Sequence, residues 1–169
     1  GAQSNQIVLI RVWLTRKRSM NIRLIESPVL GMVDEKEAEF RVNTAAYRGQ
    51  EIFELEMNNI FYKTWIYLCH ESEISKANDY KSTQIGTRPV VVTRSRDGSI
   101  SAFLNACPHR GATVCRTEKG NTRAFVCPYH GWSFRPNGEL IGIPDEQRYH
   151  DCFDKSDKNL KMVPRIASY

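Results

Sequence analysis

The sequence predicts a mainly β domain, an antiparallel sandwich or barrel, with one helix ahead of it. Short apolar and β-branched stretches recur at intervals of about eight to twelve residues. Gly, Asn and Pro turn signals separate them. Helical spacing is confined to one place, where Ile52, Phe53, Leu55, Met57, Ile60 and Phe61 put apolar side chains on one face. This predicts a core helix at about 50–62.

The elements follow in order. Residues 1–19 read as a leader or added segment ahead of Met20, with an N-terminal strand as the alternative. Residues 20–48 mix charge and apolarity without a period and read as irregular, so 20–63 form an N-terminal segment containing the helix. From residue 64 to 169 the pattern is that of the β domain. Thr64 to Cys69, Arg88 to Arg96 and Ser99 to Leu104 read as strands, the last two joined by an Asp97-Gly98 hairpin turn. Gly120-Asn121 reads as a turn. Arg123 to Cys127, Trp132 to Phe134 and Glu139 to Ile143 complete the strands, the last two divided by Pro136-Asn137-Gly138.

Composition narrows the function. A chain of 169 residues with 41% hydrophobic and 25% charged residues fits one globular domain. No apolar run approaches the roughly 20 residues of a membrane helix. The basic cluster Arg16-Lys17-Arg18 follows the apolar Ile7–Ile10 instead of preceding it, so no export signal is read and a cytoplasmic location is expected. Residues 1–19 hold Arg11, Arg16, Lys17 and Arg18 and no acid, which accounts for +4 of the net +5. The nearly neutral remainder offers no field for nucleic acid.

Five cysteines, at 69, 107, 115, 127 and 152, cannot pair completely, and in this setting they read as thiols or metal ligands. Two stand beside histidines, in Cys107-Pro108-His109-Arg110-Gly111 and in Cys127-Pro128-Tyr129-His130-Gly131-Trp132. Each short turn supplies one thiolate and one imidazole. Such a set fits a [2Fe–2S] cluster whose cysteines hold one iron and whose histidines hold the other. The Pro and Gly residues suit tight turns whose N–H groups point at sulfur. A structural zinc site is the competing reading, but zinc fingers pair Cys with Cys and His with His, whereas here each turn mixes them. Cys115, Cys69, Cys152, His70 and His150 read as packed or surface residues. Arg110, Arg116 and Lys119 read as a basic rim for an acidic redox donor or as a solvated face. Arg110, Tyr129 and Trp132 are the residues expected around the ligands.

The stretches Phe103–Ala112 and Cys127–Trp132 resemble the large (alpha) subunit of Rieske non-haem iron aromatic-ring-hydroxylating dioxygenases. Ile60-Phe61, Trp65–Leu68 and His70–Ile74 extend the resemblance. Phe53–Met57 and Arg165–Tyr169 are most similar to the benzoate and anthranilate branch. The resemblance implies a Rieske-type β-sandwich or barrel with a cluster-binding subdomain of two hairpin loops. It implies electrons arriving from an NADH-dependent flavin and iron–sulfur reductase or a ferredoxin. They leave for a mononuclear Fe(II) in an oxygenase catalytic domain, of the same or a neighbouring alpha subunit, with or without beta subunits. There a benzoate-like aromatic is cis-dihydroxylated. With His109 and His130 committed, only His70 and His150 remain, so the catalytic domain and its facial triad are not expected within these residues, and hydroxylation by this chain alone is not expected. A stand-alone Rieske ferredoxin is the alternative.

High-potential members of the wider Rieske group carry an extra cysteine in each loop, where this chain has Ala112 and Tyr129. They also place hydroxyls near cluster sulfur where this chain has Trp132 and Phe134. Fewer donors predict a midpoint at about −150 mV, the low end of the Rieske range, instead of about +300 mV.

Overall fold

The computed structural model of the protein describes residues 7–11 and 31–169. Within them the mainly β expectation holds. The strands are β1 (Ile7–Arg11), β2 (Val33–Lys36), β3 (Glu39–Val42), β4 (Trp65–His70), β5 (Asp79–Ile85), β6 (Arg88–Arg94) and β7 (Ile100–Leu104). β8 (Lys119–Asn121), β9 (Phe125–Val126), β10 (Ser133–Phe134), β11 (Leu140–Gly142) and β12 (Arg165–Ser168) follow. They pair antiparallel into sheets ordered β12-β1-β4, β7-β6-β5-β8 and β9-β10-β11, with β2-β3 a separate hairpin.

The four-stranded sheet is the middle layer, and β6 explains why. Val90, Val91, Val92 and Thr93 are all fully buried. Successive side chains point to opposite faces, so a strand with no exposed face needs a neighbour on each side. Val90 and Val92 pack with Val8, Leu68, Cys69, Ile85 and Ala102, the core shared with the β12-β1-β4 sheet. Val91 and Phe103 face the other way, onto Phe125, Cys127, Trp132, Phe134 and Leu160 of the small sheet and its loops. The apolar run in the sequence is therefore the signature of a doubly covered strand.

Two ties fix the small sheet. Buried Thr93 donates its hydroxyl to the Pro136 carbonyl at 2.6 Å, in the turn between β10 and β11. Residues 160–163 run beside β7, with Leu104 N–H donating to Lys161 O and Val163 N–H to Ala102 O. From there Leu160 N–H reaches Gly138 O at 2.9 Å.

Several expectations need correction. Residues 7–11 take the strand form that was the alternative to a leader. They form the central strand between β12 and β4, and Val8 is fully buried. Val8 in the core and backbone pairing on both edges hold them there. The rest of 1–19 lies outside the described residues. The segment 20–48, described from residue 31, contains the β2-β3 hairpin and a short helix, α1 (Ala45–Arg48). The helix expected at 50–62 divides into α2 (Gln50–Glu56) and a π-helical turn over Met57–Phe61. Ile52, Met57 and Tyr62 are buried, whereas Phe53, Leu55, Ile60 and Phe61 are exposed. Met57 seats over Gly86, where an added Cβ would stand 2.5 Å from its sulfur. Gly120 and Asn121, read as a turn, lie in β8 and pair with β5, where a Cβ on Gly120 would strike the Tyr80 ring. β5 itself was not anticipated, because Asp-Tyr-Lys-Ser-Thr-Gln-Ile has no apolar alternation. Its strand form comes from backbone pairing to β6 and β8.

Candidate metal centre

Two loops share one backbone plan. In the first, Cys107 N–H donates to Ala112 O at 2.8 Å and Gly111 N–H to Cys107 O at 2.7 Å. In the second, Cys127 N–H donates to Trp132 O at 2.8 Å and Gly131 N–H to Cys127 O at 2.9 Å. Each loop thus opens on a cysteine, has proline next and closes through a glycine four residues on. Both glycines sit at φ +72°, in the left-handed region that glycine occupies without strain. The histidine falls two residues after the first cysteine and three after the second. The same loop geometry therefore presents imidazole from different positions.

The second loop joins β9 to β10. The first leaves β7 through Asn105, which is 3% exposed. Its side-chain oxygen accepts from Val114 and Cys115 N–H at 3.1 and 2.8 Å, and its amide donates to Cys115 O at 2.7 Å. One buried amide closes the base of the loop.

The four candidate ligands meet as two pairs. Cys107 and Cys127 are each 2% exposed and face one another closely enough to interact. Burial pushes the Cys107 thiol above its ordinary pKa. The backbone N–H groups of His109 and Arg110 donate to its sulfur and act in the other direction, while Cys127 adds to the rise. His109 and His130 are half-buried, with ring centroids 4.6 Å apart. The His109 imidazole is lowered by burial first, then by His130 and Arg110. Among the described residues no three His, Cys, Asp or Glu side chains stand close enough together to hold a metal ion. A buried thiol pair beside a half-exposed imidazole pair suits a two-iron cluster with unlike ends. So does the buried indole N–H of Trp132, which has no acceptor among the described residues.

The surrounding residues divide clearly. Trp132 is 2% exposed and stacks on His109, with centroids 5.0 Å apart and planes within 6°. Tyr129 is exposed and lies against His130 at 3.8 Å. Arg110 is exposed in the first loop, whereas Arg116 borders a hollow beside Ser82–Gln84 and Lys119 sits in β8 opposite Lys81. Cys115 is the packed thiol expected, donating to Thr117 O at 3.3 Å. Cys69 is fully buried, and burial pushes its thiol up to about 11. His70 caps a short 3₁₀ turn through Ser72.

Sequence reasoning missed three features. The Asn105 clamp carries no motif of its own. Tyr149 and Phe153 close on Trp132 edge to face, at 6.5 and 6.1 Å, from a stretch with no periodicity to announce them. His150 Nδ1 meets the Cys152 sulfur at 3.1 Å on the surface, a contact their two-residue spacing could have signalled.

Comparison with known proteins agrees with this geometry. Residues 64–165 match the family model described as the Rieske [2Fe-2S] domain. The chain is 45% identical over 139 residues to toluate 1,2-dioxygenase subunit alpha of Pseudomonas putida, covering 80% of this chain and 31% of that protein. It is 46% identical over 138 residues to the anthranilate 1,2-dioxygenase large subunit of Acinetobacter baylyi, covering 78% and 29%. The naphthalene 1,2-dioxygenase structure from Rhodococcus sp. superposes with a TM-score of 0.70 at 42% identity, over 75% of this chain and 29% of that one. The chain thus spans under a third of these relatives' length. No helix among the described residues is long and apolar enough to cross a membrane. From the matched loops and these relatives together, the chain belongs to the Rieske [2Fe-2S] domain family, in the form found in the large subunits of aromatic-ring-hydroxylating dioxygenases.

Proposed function

We propose that Cys107 and Cys127 hold one iron of a [2Fe–2S] cluster and that His109 and His130 hold the other. Bound there, the cluster takes up and returns one electron at a time. The thiolates lie inward, where the backbone N–H groups of His109 and Arg110 stabilise charge on Cys107 against the cost of its burial. The imidazoles lie outward and give electrons a short route to and from a docked protein. Arg110, Tyr129 and Trp132 frame that route, Trp132 from beneath and the other two at the surface. The single observation that carries the reading is the pair of matched loops, with their thiols buried together and their imidazoles half-exposed 4.6 Å apart.

In the larger protein, residues 64–169 are the electron-transfer domain of an alpha subunit working in the cytoplasm. An NADH-dependent flavin and iron–sulfur reductase, or a ferredoxin, supplies the electrons. A mononuclear iron in an oxygenase catalytic domain, of this or a neighbouring alpha subunit, receives them and cis-dihydroxylates a benzoate-like aromatic. The assembly forms with or without a beta subunit. The likeness to the toluate and anthranilate enzymes supports the acidic aromatic substrate.

The test is anaerobic mixing of the iron-loaded domain with NADH and the reductase of a toluate- or anthranilate-type system. Visible bleaching by one electron per chain is expected, and Cys127→Ala or His130→Ala, which do not hold the cluster, give no such signal. A loaded domain that dithionite reduces but such reductases leave oxidised contradicts the relay.

A further inference from the structure

Trp132 belongs to both loops at once. Its carbonyl closes the second loop by accepting from Cys127 N–H at 2.8 Å, and its ring lies flat against His109 of the first. Tyr149 and Phe153 pack edge to face on the indole and lie tilted against each other, the latter pair 4.6 Å apart, so the ring is held from two sides. Its N–H is nevertheless buried with no acceptor, one of two such side-chain atoms among the described residues. A buried donor left unpaired is costly, so its partner is to be sought outside the protein atoms.

We propose that the indole N–H of Trp132 donates a hydrogen bond to a sulfur of the bound cluster, and that Trp132 is thereby a positioning residue that raises the cluster's reduction potential. The inference rests on the cluster reading above and deepens it. Reduction adds negative charge that sulfur shares. A fixed N–H aimed at that sulfur stabilises the reduced form more than the oxidised form. Stacking serves the same end, because holding the indole against His109 keeps donor and imidazole in a constant relation.

The experiment compares wild type and Trp132→Phe, both loaded and assayed for iron and acid-labile sulfide before any potential is measured. Phenylalanine keeps an aromatic face for His109 and deletes the N–H. Trp132→Phe is expected to hold the cluster and to shift the reduced-to-oxidised equilibrium three- to tenfold towards oxidised, a fall of about 28–59 mV at 59 mV per tenfold for one electron. Resonance Raman spectra in D₂O are expected to show a deuterium shift of iron–sulfur modes in wild type that weakens in the variant. If Trp132→Phe does not retain the cluster, benzothienylalanine at position 132, which keeps the indole shape without the N–H, gives the same readouts. An unchanged potential and an unchanged deuterium shift in a loaded variant overturn this proposal alone. Wild type that takes up no iron and sulfide overturns the cluster reading instead.

Discussion

Asn105 clasps Cys115 through both of its backbone polar groups, donating to its carbonyl at 2.7 Å and accepting from its N–H at 2.8 Å. The two residues flank the first cluster loop, so this buried amide sets the width of the loop's base. Replacing it strands three backbone partners in the interior. Asn105→Ala is expected to cost about 3 kcal/mol, at about 1 kcal/mol per buried hydrogen bond lost, and to lower iron content before the domain unfolds. Thermal melts paired with iron assays check this, and full iron occupancy in a destabilised variant would contradict the link to the loop.

The two loop glycines share a φ of +72° but not their surroundings. A Cβ on Gly131 would stand 2.8 Å from Pro144 Cγ, whereas one on Gly111 meets nothing within 4 Å. Both alanine variants carry left-handed strain of about 1–2 kcal/mol. Gly131→Ala alone adds a clash, so it is expected to be the more destabilised in urea titrations. Equal midpoints would contradict the close approach.

Val8 tests whether the first strand belongs to the fold. It is fully buried at the centre of the β12-β1-β4 sheet. Val8→Asp places an unpaired carboxylate in that core and is expected to cost at least about 3 kcal/mol. A melt indistinguishable from wild type would return residues 7–11 to the status of a leader.

Stability is expected to fall at alkaline pH through Cys69. Burial, the main cause, raises its thiol to about 11 from an ordinary 9.0. Below pH 9 the thiol is protonated in folded and unfolded chains alike, and its contribution is whole. Between 9 and 11 the unfolded chain gives up the proton while the folded chain keeps it, so stability declines with rising pH. The two-unit shift corresponds to something on the order of 2–3 kcal/mol. Unfolding free energies from pH 8 to 11 should show a flatter decline in Cys69→Ala than in wild type, and parallel profiles would contradict the assignment.

The midpoint potential is expected near the low end of the Rieske range, at about −150 mV. Trp132 and fully buried Phe134 carry no hydroxyl, so neither offers cluster sulfur an O–H donor. Protein-film voltammetry giving a clearly positive value would contradict this.

Much of this was legible in the sequence, for reasons particular residues make plain. The candidate ligand set showed itself because Pro108, Gly111, Pro128 and Gly131 repeat around Cys and His. Those residues fix a backbone, so the motif is a record of geometry. Val90–Thr93 announced β6 because a strand covered on both faces must be apolar throughout. β5 stayed hidden because backbone pairing holds it and its side chains bear no pattern. Residues 7–11 were misjudged because the charges around them outweighed a short apolar run whose neighbours, β4 and β12, lie far along the chain. The packing of Tyr149 and Phe153 on Trp132, like the Asn105 clamp, exists only once the loops are folded.

The most direct measurement is metal and acid-labile sulfide analysis of anaerobically prepared protein, with an EPR spectrum after dithionite reduction. The account predicts two irons and two sulfides per chain and the anisotropic signal of a reduced cluster ligated by thiolates and imidazoles. Zinc in place of iron, or iron without sulfide, would contradict it.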